Sequence, residues 1–173
     1  MTTLKELTQH NHSLAEEHSF TKLLLSGKMF PNIYATYLAN QLLQYQVLEH
    51  CSADLLGYLP GLSRSELILQ DLLELKQPVV LFDTTAQYCN HVKGLNPHKL
   101  WAHIYTKHMG DLYGGQLIKT KVPGAGSMYN FQNRQKLIHD LRSKLDVSMA
   151  DEANSCFEFT LQLFDRIADE YNI

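Results

Sequence analysis

The five prolines of this chain all fall between segments in which apolar residues recur every three or four positions. Proline lacks the backbone N–H and clashes with the preceding turn, so it marks helix ends and is excluded from helix interiors. This placement predicts a chain that is helical throughout. The prolines are Pro31, Pro60, Pro78, Pro97 and Pro123.

Periodicity and capping residues divide the chain into consecutive predicted helices. Thr3 with Glu6, and Ser63 with Glu66, have the spacing of capping boxes and mark two helix starts. The apolar run at 79–82 has the composition of a strand, but an isolated strand has no partner, so we interpret it as a buried connection. The predicted helices cover residues 3–17, 20–26, 31–55, 63–76, 84–92, 97–120, 129–145 and 148–171, and residues 123–127 form a loop.

Length and composition restrict the class of protein. The 173 residues predict one all-α domain over 1–173, since domains hold roughly 100–200 residues. The chain has 15 basic and 18 acidic residues, a net charge of −3, and no basic cluster, which argues against a nucleic-acid binder. The longest apolar run is 79–82, so neither a membrane span nor a signal peptide is predicted.

The cysteines indicate the compartment. Cys51, Cys89 and Cys156 are odd in number, far apart and free of CxxC patterns. This usage is typical of a reducing cytoplasm and not of a disulfide framework. We therefore expect a cytoplasmic protein, and nothing in the sequence requires more than a monomer.

One stripe of the first predicted helix carries unusual chemistry for a face beside the core. Its members are spaced three, four and four residues apart, which aligns them on a helix. A neutral imidazole is a good iron ligand, and a carboxylate four residues later can hold its other ring N–H. The stripe consists of Lys5, Thr8, His12 and Glu16.

His12 has competitors and a simpler interpretation. Helix surfaces commonly carry His and Glu, so His12 alone is equally consistent with a solvated surface histidine. His10 and His18 lie nearby, but neither has a glutamate four residues later. His12 is therefore the better candidate ligand.

A glycine cluster lies within the predicted helix over 97–120. Relative to alanine, Gly110, Gly114 and Gly115 together lower the stability of a helix by about 3 kcal/mol, at roughly 1 kcal/mol each. A cost of that size suggests a helix that lets something flat approach its backbone, with Asp111 placed to organise water. The alternative is a helix that ends at Gly110 and an ordinary loop after it.

The two segments together resemble the heme oxygenase family. H-S-L-A-E at 12–16 resembles the family's proximal signature, and G-D-L-Y-G-G-Q at 110–116 resembles its distal signature. Further likeness lies in the K-E-x-T at 5–8, the R-S-K-L at 142–145 and the L-Q-L-F at 161–164. The resemblance extends over nearly the whole chain and implies a helical bundle that holds heme between a proximal and a distal helix.

The resemblance implies roles for particular residues. His12 would be the iron ligand and Glu16 its hydrogen-bond acceptor. Gly110 and Gly114 would let the distal helix lie over the heme face, and Asp111 would hold a catalytic water. Lys5 and Arg142 would meet the propionates. Other implied heme contacts are Thr8, Tyr105, Tyr113, Gly115, His139, Phe157 and Phe164.

The implied activity is cleavage of heme b, which would be both cofactor and substrate. With O2 and electrons, the family default is biliverdin IXα, carbon monoxide and Fe2+. No flavin, nicotinamide or iron–sulfur motif is present, so electrons must come from outside, and a small acidic ferredoxin fits a basic patch. A bilin reductase would be a possible downstream partner. Candidate patch residues are Lys5, Lys22, Lys136, Arg142 and Lys144.

The sequence also departs from the family pattern. Tyr113 stands in place of the family serine, and its phenol points away from the heme or joins the distal network. Lys107-His108 replaces an Arg-Tyr pair. The second propionate anchor is matched by His139 or by Lys136.

Two other classes of function stay open at this point. A heme carrier of the same fold would bind heme without cleaving it, and Tyr113 keeps that alternative alive. A related helical enzyme of the thiaminase or quinone-cofactor type would bind no heme. His103 and His108 flank the glycine cluster and are the competing candidates for an iron ligand.

Overall fold

The structure is a computed structural model that describes residues 1–173, and every regular element in it is helical. Nine α-helices follow one another, with short 3-10 turns at Ser127–Tyr129 and Val147–Met149. None of them has the length and apolar content that crossing a lipid bilayer requires. The helices are α1 (Leu4–Glu17), α2 (Ser19–Leu25), α3 (Pro31–Cys51), α4 (Ala53–Leu56), α5 (Ser65–Leu75), α6 (Asp83–Lys93), α7 (Pro97–Lys119), α8 (Arg134–Arg142) and α9 (Ala150–Tyr171).

The long helices α3, α7 and α9 organise the packing. α3 packs against α5 and α6, while α9 packs against α1, α2, α6 and α7. The core between them is rich in buried aromatic side chains, which include Phe20, Tyr34, Tyr45, Tyr88 and Tyr129. Such side chains bury a large apolar area each, so they fix the relative positions of the helices. The prediction of an all-α fold is confirmed.

The start of α1 confirms the first predicted capping box. The Thr3 hydroxyl accepts a hydrogen bond from the Glu6 backbone N–H at 3.2 Å, and the Glu6 carboxylate accepts one from the Thr3 N–H at 2.7 Å. Both bonds satisfy N–H groups that have no partner within the helix. The cap therefore fixes where α1 begins and, with it, the register of the stripe that carries His12.

The second predicted capping box, at Ser63 and Glu66, does not form. The Glu49 carboxylate on α3 instead accepts the backbone N–H groups of Arg64 at 2.5 Å and Ser65 at 3.0 Å. A carboxylate supplied by another helix satisfies the same N–H groups at the start of α5. The physical reason for the difference is that a tertiary contact displaces the local cap.

The apolar run at 79–82 is a connection, as predicted, but it is not buried as a whole. Phe82 is buried, whereas Val79 and Leu81 are exposed. Side chains of α3 replace the missing strand partner: Thr36 accepts the Val80 N–H at 3.1 Å, and Asn40 accepts the Phe82 N–H at 3.1 Å.

Other helix boundaries differ modestly from the predicted ones. The predicted helix over 31–55 is divided at Ser52 into α3 and α4. The predicted helix over 129–145 is shortened to α8, because Asn133 adopts a left-handed conformation with φ of 55° before it. The glycine cluster lies inside α7, which continues to Lys119, so the alternative of a helix ending at Gly110 is wrong.

Candidate active site

Helices α1, α7 and α9 contribute walls to one large cavity of about 860 Å³. Pockets for small ligands and cofactors span about 300–1,000 Å³, so this cavity is at the large end of the range. Half of its lining residues are apolar. The polar groups include the His12 stripe of α1, the Asp111 region of α7 and side chains of α3.

The His12 side chain lines the cavity, and one of its two ring nitrogens is buried. Its Nδ1 atom is buried, has no hydrogen-bond partner and lies 3.5 Å from Glu16 Oε2. The side chain is nevertheless 42% exposed, and Nε2 makes no hydrogen bond within the chain. Phe157 packs against the ring at right angles, with centroids 5.9 Å apart. The arrangement leaves Nε2 free to bind a ligand in the cavity.

The absence of a side chain has a different structural effect at Gly110 and Gly114 than at Gly115. A Cβ atom on Gly110 would meet no atom within 4 Å, and on Gly114 it would meet only Ile118 Cδ1 at 3.8 Å. Both residues line the cavity. A Cβ atom on Gly115 would lie 2.9 Å from Tyr129 Cδ1, so Gly115 is required by helix packing. Gly115 does not line the cavity, so the structure does not bring this predicted heme contact together with Gly110 and Gly114.

Asp111 lies in the cavity wall next to a tyrosine of α3. The Tyr45 hydroxyl is 3.0 Å from Asp111 Oδ2 and also 3.0 Å from the Lys107 carbonyl oxygen. Burial raises the pKa of the Asp111 carboxyl to about 6, against the lowering effects of the Tyr45 hydrogen bond and of the Lys107 and Arg64 charges. A carboxyl with this pKa can exchange a proton near neutral pH.

Lys107 places a partly buried cation beside Asp111. Its Nζ atom donates to Gln41 Oε1 at 2.9 Å and to Gln44 Oε1 at 2.8 Å. It also lies 4.8 Å from the centroid of the Tyr45 ring. Burial lowers the pKa of the Lys107 ammonium. Two amide oxygens and an aromatic face therefore stabilise a cation in the position where the family pattern has arginine.

Tyr113 and Arg142 form a pair at the exposed side of the cavity. The Tyr113 hydroxyl and Arg142 Nη2 are hydrogen-bonded, and the guanidinium lies 5.4 Å from the Tyr113 ring centroid. Tyr113 is half exposed. Its phenol is thus directed to Arg142, and it has no hydrogen bond to the Asp111 network.

Most of the predicted site residues come together in this cavity wall. Exceptions are Gly115 and His139; His139 is exposed on α8, and Lys136, its alternative, is paired with Asp140. Thr8 is in the wall, but its hydroxyl donates to the Leu4 carbonyl at 3.0 Å. The predicted residues that line the cavity are Lys5, Thr8, His12, Glu16, Tyr105, Gly110, Asp111, Tyr113, Gly114, Arg142, Phe157 and Phe164.

The histidines that could compete with His12 are buried elsewhere. His108 Nδ1 lies 2.8 Å from the Ile104 carbonyl oxygen, and burial lowers the pKa of His108 to about 3. His103 contacts Tyr88 and Glu152, and burial lowers its pKa to about 4. Neither side chain lines the cavity. His12 is the histidine that the fold presents to it.

Sequence reasoning missed the contribution of α3. In the sequence, Tyr45 fits the apolar periodicity of its helix, and Gln41 and Gln44 belong to no recognisable motif. A signal was present, since buried glutamines within an apolar helix need polar partners. The sequence does not say that the partner is Lys107, because the two segments meet only in the folded chain.

A deep cavity between a histidine-bearing helix and a glycine-lined helix, in an all-α fold, defines the heme-oxygenase-like class of proteins. Comparison with known families agrees: the Heme oxygenase family model matches residues 1–166. This chain belongs to the heme oxygenase family. It is therefore an oxidoreductase of that type, and the activity of the family is heme cleavage.

Relatives and solved structures support this assignment. The chain is 30% identical to Heme oxygenase of Guillardia theta, over 97% of this chain and 86% of that protein. It is 27% identical to Heme oxygenase 1 of Synechocystis sp., over 95% and 82% of the two chains. The crystal structure of heme oxygenase-1 from Synechocystis sp. in complex with heme has a TM-score of 0.85 at 24% identity, covering 96% of this chain and 91% of that one.

A second solved structure shows the same fold. Heme oxygenase-2 from Synechocystis sp., in complex with heme and NO, has a TM-score of 0.84 at 25% identity. The match covers 96% of this chain and 84% of the other.

Proposed function

We propose that this protein opens the ring of heme b to biliverdin IXα, carbon monoxide and Fe2+, using O2 and external electrons. The observation that carries the proposal is the geometry of His12. Its Nδ1 is buried beside the Glu16 carboxylate, and its other edge faces a cavity also lined by Gly110 and Gly114. When bound there, heme supplies the iron that activates O2 and the ring that is opened.

The residues present fit such a ligand. His12 offers one free imidazole nitrogen, and its buried Nδ1 lacks any protein partner closer than the Glu16 carboxylate at 3.5 Å. Gly110 leaves open space where a side chain would otherwise stand. The cavity volume of about 860 Å³ suits a large flat molecule. A planar iron-bearing ligand needs a nitrogen ligand for the iron, open space over its flat face and a cavity of sufficient volume, and these three features provide them.

Glu16 is placed to select the tautomer of His12. A carboxylate near Nδ1 favours the proton on that nitrogen, which leaves the Nε2 lone pair for iron. Because Glu16 is four residues along the same helix, small helix movements do not separate the pair. His12 therefore binds iron and Glu16 keeps its ring in the binding tautomer.

Gly110 and Gly114 keep α7 from filling the space above the ring. Without side chains there, the backbone would be able to approach a bound heme closely and would leave room for O2. A bulky side chain at Gly110 would occupy this space without disturbing the core, because no atom lies within 4 Å of its Cβ position.

Asp111 is the proton-handling group of the site. Its carboxyl has a pKa of about 6, so both protonation states are accessible near neutral pH. The Tyr45 hydroxyl fixes the orientation of the carboxyl from α3. Lys107 supplies a positive charge nearby and limits the rise in the pKa of Asp111. Together these groups would hold a water molecule and supply protons for the oxygen chemistry of a bound heme.

Lys5 and Arg142 are the anchors for the propionate carboxylates. Both are exposed cations in the cavity wall, and charge-assisted hydrogen bonds to carboxylates are among the stronger ones. The position of Arg142 is supported by Tyr113, which binds it through its hydroxyl. With heme bound, these two cations would determine how the ring is rotated in the cavity and hence which meso carbon is exposed to attack, which we propose to be the α carbon.

A small acidic ferredoxin is the proposed electron donor, since no redox cofactor motif is present in this chain. Such a donor would dock on cations near the cavity, among which Lys5 and Arg142 line it and Lys22 is exposed nearby. We further propose a cytoplasmic monomer whose product can pass to a bilin reductase.

The test is an absorbance time course on the purified protein. Hemin is titrated in, and ascorbate or ferredoxin with its reductase is then added in air. A saturable Soret band at one equivalent that decays while a biliverdin band grows supports the proposal. A stable Soret band without bilin would mean a heme carrier, and no Soret band would mean that only the fold is shared. Separation of the pigment isomers tests the α position.

A further inference from the structure

A second group of potential ligands lies outside the heme cavity. His91 of α6, His103 of α7 and Glu152 of α9 bring their ligand atoms within 4.8 Å of one another. His91 Nε2 lies 2.5 Å from Glu152 Oε1, and His103 Nε2 lies 2.8 Å from the same oxygen. None of the three side chains lines the cavity that holds His12. The function proposed above gives none of them a role.

This group is built into the interior and oriented by a further side chain. His103 is fully buried and Glu152 is 9% exposed. The Tyr88 hydroxyl lies 3.0 Å from His103 Nδ1, on the far side of the ring from Glu152. An outer partner on one ring nitrogen fixes the orientation of a histidine and directs the other nitrogen to its ligand. Tyr88 therefore points His103 Nε2 at the carboxylate.

We propose that His91, His103 and Glu152 form a second metal site, which takes a first-row divalent cation such as Zn2+. Two imidazole nitrogens and one carboxylate oxygen are a donor set that suits this class of metal. Three ligands from three different helices leave a fourth position for water. His91 is 34% exposed at its side chain, which gives the ion a path from solvent.

Binding requires only a small opening of the present geometry. Each ligand atom has to lie about 2.0–2.2 Å from the metal, and neighbouring ligands of a tetrahedral ion are therefore about 3.3–3.6 Å apart. The two histidine nitrogens now lie 2.5 and 2.8 Å from Glu152 Oε1, so each must move away from it by less than about 1 Å. The half-exposed Lys99 is 3.7 Å from Glu152 Oε2, the oxygen that does not face the histidines. Its flexible side chain can turn into solvent when the metal supplies the positive charge.

Cobalt binding by the full-length apoprotein tests the proposal directly, because Co2+ in a low-coordinate site absorbs visible light. We expect one equivalent to bind in the wild-type protein and in His12→Ala, which removes the proposed heme ligand. In His91→Ala the affinity should fall at least tenfold, since even loss of an outer partner costs ~10–100-fold. His10→Ala, which removes an exposed histidine, is the matched control and should bind as wild type.

Thermal unfolding with Zn2+ gives an independent readout. A metal that binds only the folded chain raises its melting temperature, so Zn2+ should stabilise the wild type and His12→Ala but not Glu152→Gln. If Glu152→Gln does not fold, the same measurement is made on His91→Ala, because the His91 side chain is partly exposed and its loss should be tolerated. Equal cobalt binding by wild type and His91→Ala, or no binding by either, would overturn the proposal and leave a hydrogen-bonded network. Failure of heme cleavage would not affect it.

Discussion

The Tyr45 hydroxyl lies 3.0 Å from Asp111 Oδ2, so a tyrosine of α3 is hydrogen-bonded to a carboxyl in α7. The contact joins residues separated by 66 positions in the chain. It favours the charged carboxylate and opposes the burial that raises the pKa of Asp111 to about 6. Tyr45 is thus a positioning residue that also sets the proton affinity of Asp111.

Tyr45→Phe should raise the pKa of Asp111 further, because it removes the hydrogen bond that favours the charged form. In single-turnover bilin formation, the pH at which the rate titrates should move upward while hemin affinity stays unchanged. Tyr58→Phe, at an exposed tyrosine outside the cavity, is the control. An unchanged pH profile in Tyr45→Phe would contradict the assignment.

Asp111→Asn should abolish turnover, retain heme and stabilise the fold near neutral pH. The folded pKa of about 6 exceeds the ordinary value of 3.8, so the folded state binds the proton more tightly. The buried Asp111 carboxyl therefore destabilises the fold once it ionises. This cost in free energy of unfolding is absent below about pH 4 and grows as the pH rises through 6. The variant should therefore gain up to ~3 kcal/mol in free energy of unfolding at pH 7, and little at pH 4.

Urea unfolding at the two pH values measures this difference. Asp140→Asn serves as a control of opposite sign, because the Lys136 hydrogen bond lowers the pKa of the Asp140 carboxyl. The control should be no more stable than wild type at pH 7. Equal stability of Asp111→Asn and wild type at pH 7 would argue against a raised pKa.

Gly110→Leu should bind heme and lose ring cleavage. The new side chain would enter the open space that faces the cavity, and the core would be unaffected because no atom lies within 4 Å of the Cβ position. The Soret band and the melting temperature should stay near wild type, while the bilin yield falls. Full turnover by this variant would disprove the role given to the glycine.

Gly115→Ala should show the opposite pattern and lower the stability. Its Cβ atom would lie 2.9 Å from Tyr129 Cδ1, so the Tyr129 ring or α7 must move. Overpacking of this kind costs about 1–3 kcal/mol. Urea unfolding should detect the loss, and the protein that remains folded should still cleave heme. A stability equal to that of the wild type would mean that the Tyr129 ring can move aside without a free-energy cost, contrary to the prediction.

Glu16→Gln should weaken heme binding or turnover by ~10–100-fold, the usual effect of losing the acceptor behind a metal-bound histidine. The amide no longer provides the negative charge that holds the His12 tautomer. Hemin titration and the single-turnover rate measure the effect. Glu17→Gln, at the exposed neighbouring residue outside the cavity wall, should leave both unchanged.

The sequence predicted the α1 and α7 parts of the site because each is a contiguous segment. His12 and Glu16 are one helical turn apart, and Gly110, Asp111 and Gly114 follow one another in α7. Local periodicity is enough to place such residues on one helix face. The same reasoning could not separate Gly110 from Gly115, since that distinction depends on Tyr129 from a distant segment.

The parts that were not predicted depend on contacts between segments. Tyr45 and Gln41 look like ordinary members of a buried helix until α7 brings Asp111 and Lys107 beside them. His139 has the sequence position of a propionate anchor, yet the short α8 leaves it exposed outside the cavity. In each case the missing information is the packing of helices, which a linear pattern does not contain.

The Glu49 carboxylate at the start of α5 has a consequence for folding. Because α5 has no local side-chain cap and receives its cap from α3, its first turn is stabilised only once the two helices have met. A peptide of α5 alone should be weakly helical, since short isolated helices are marginal in water. Formation of α5 is thereby coupled to the collapse of the chain around α3, and a truncated chain that lacks α3 should lose α5 as well.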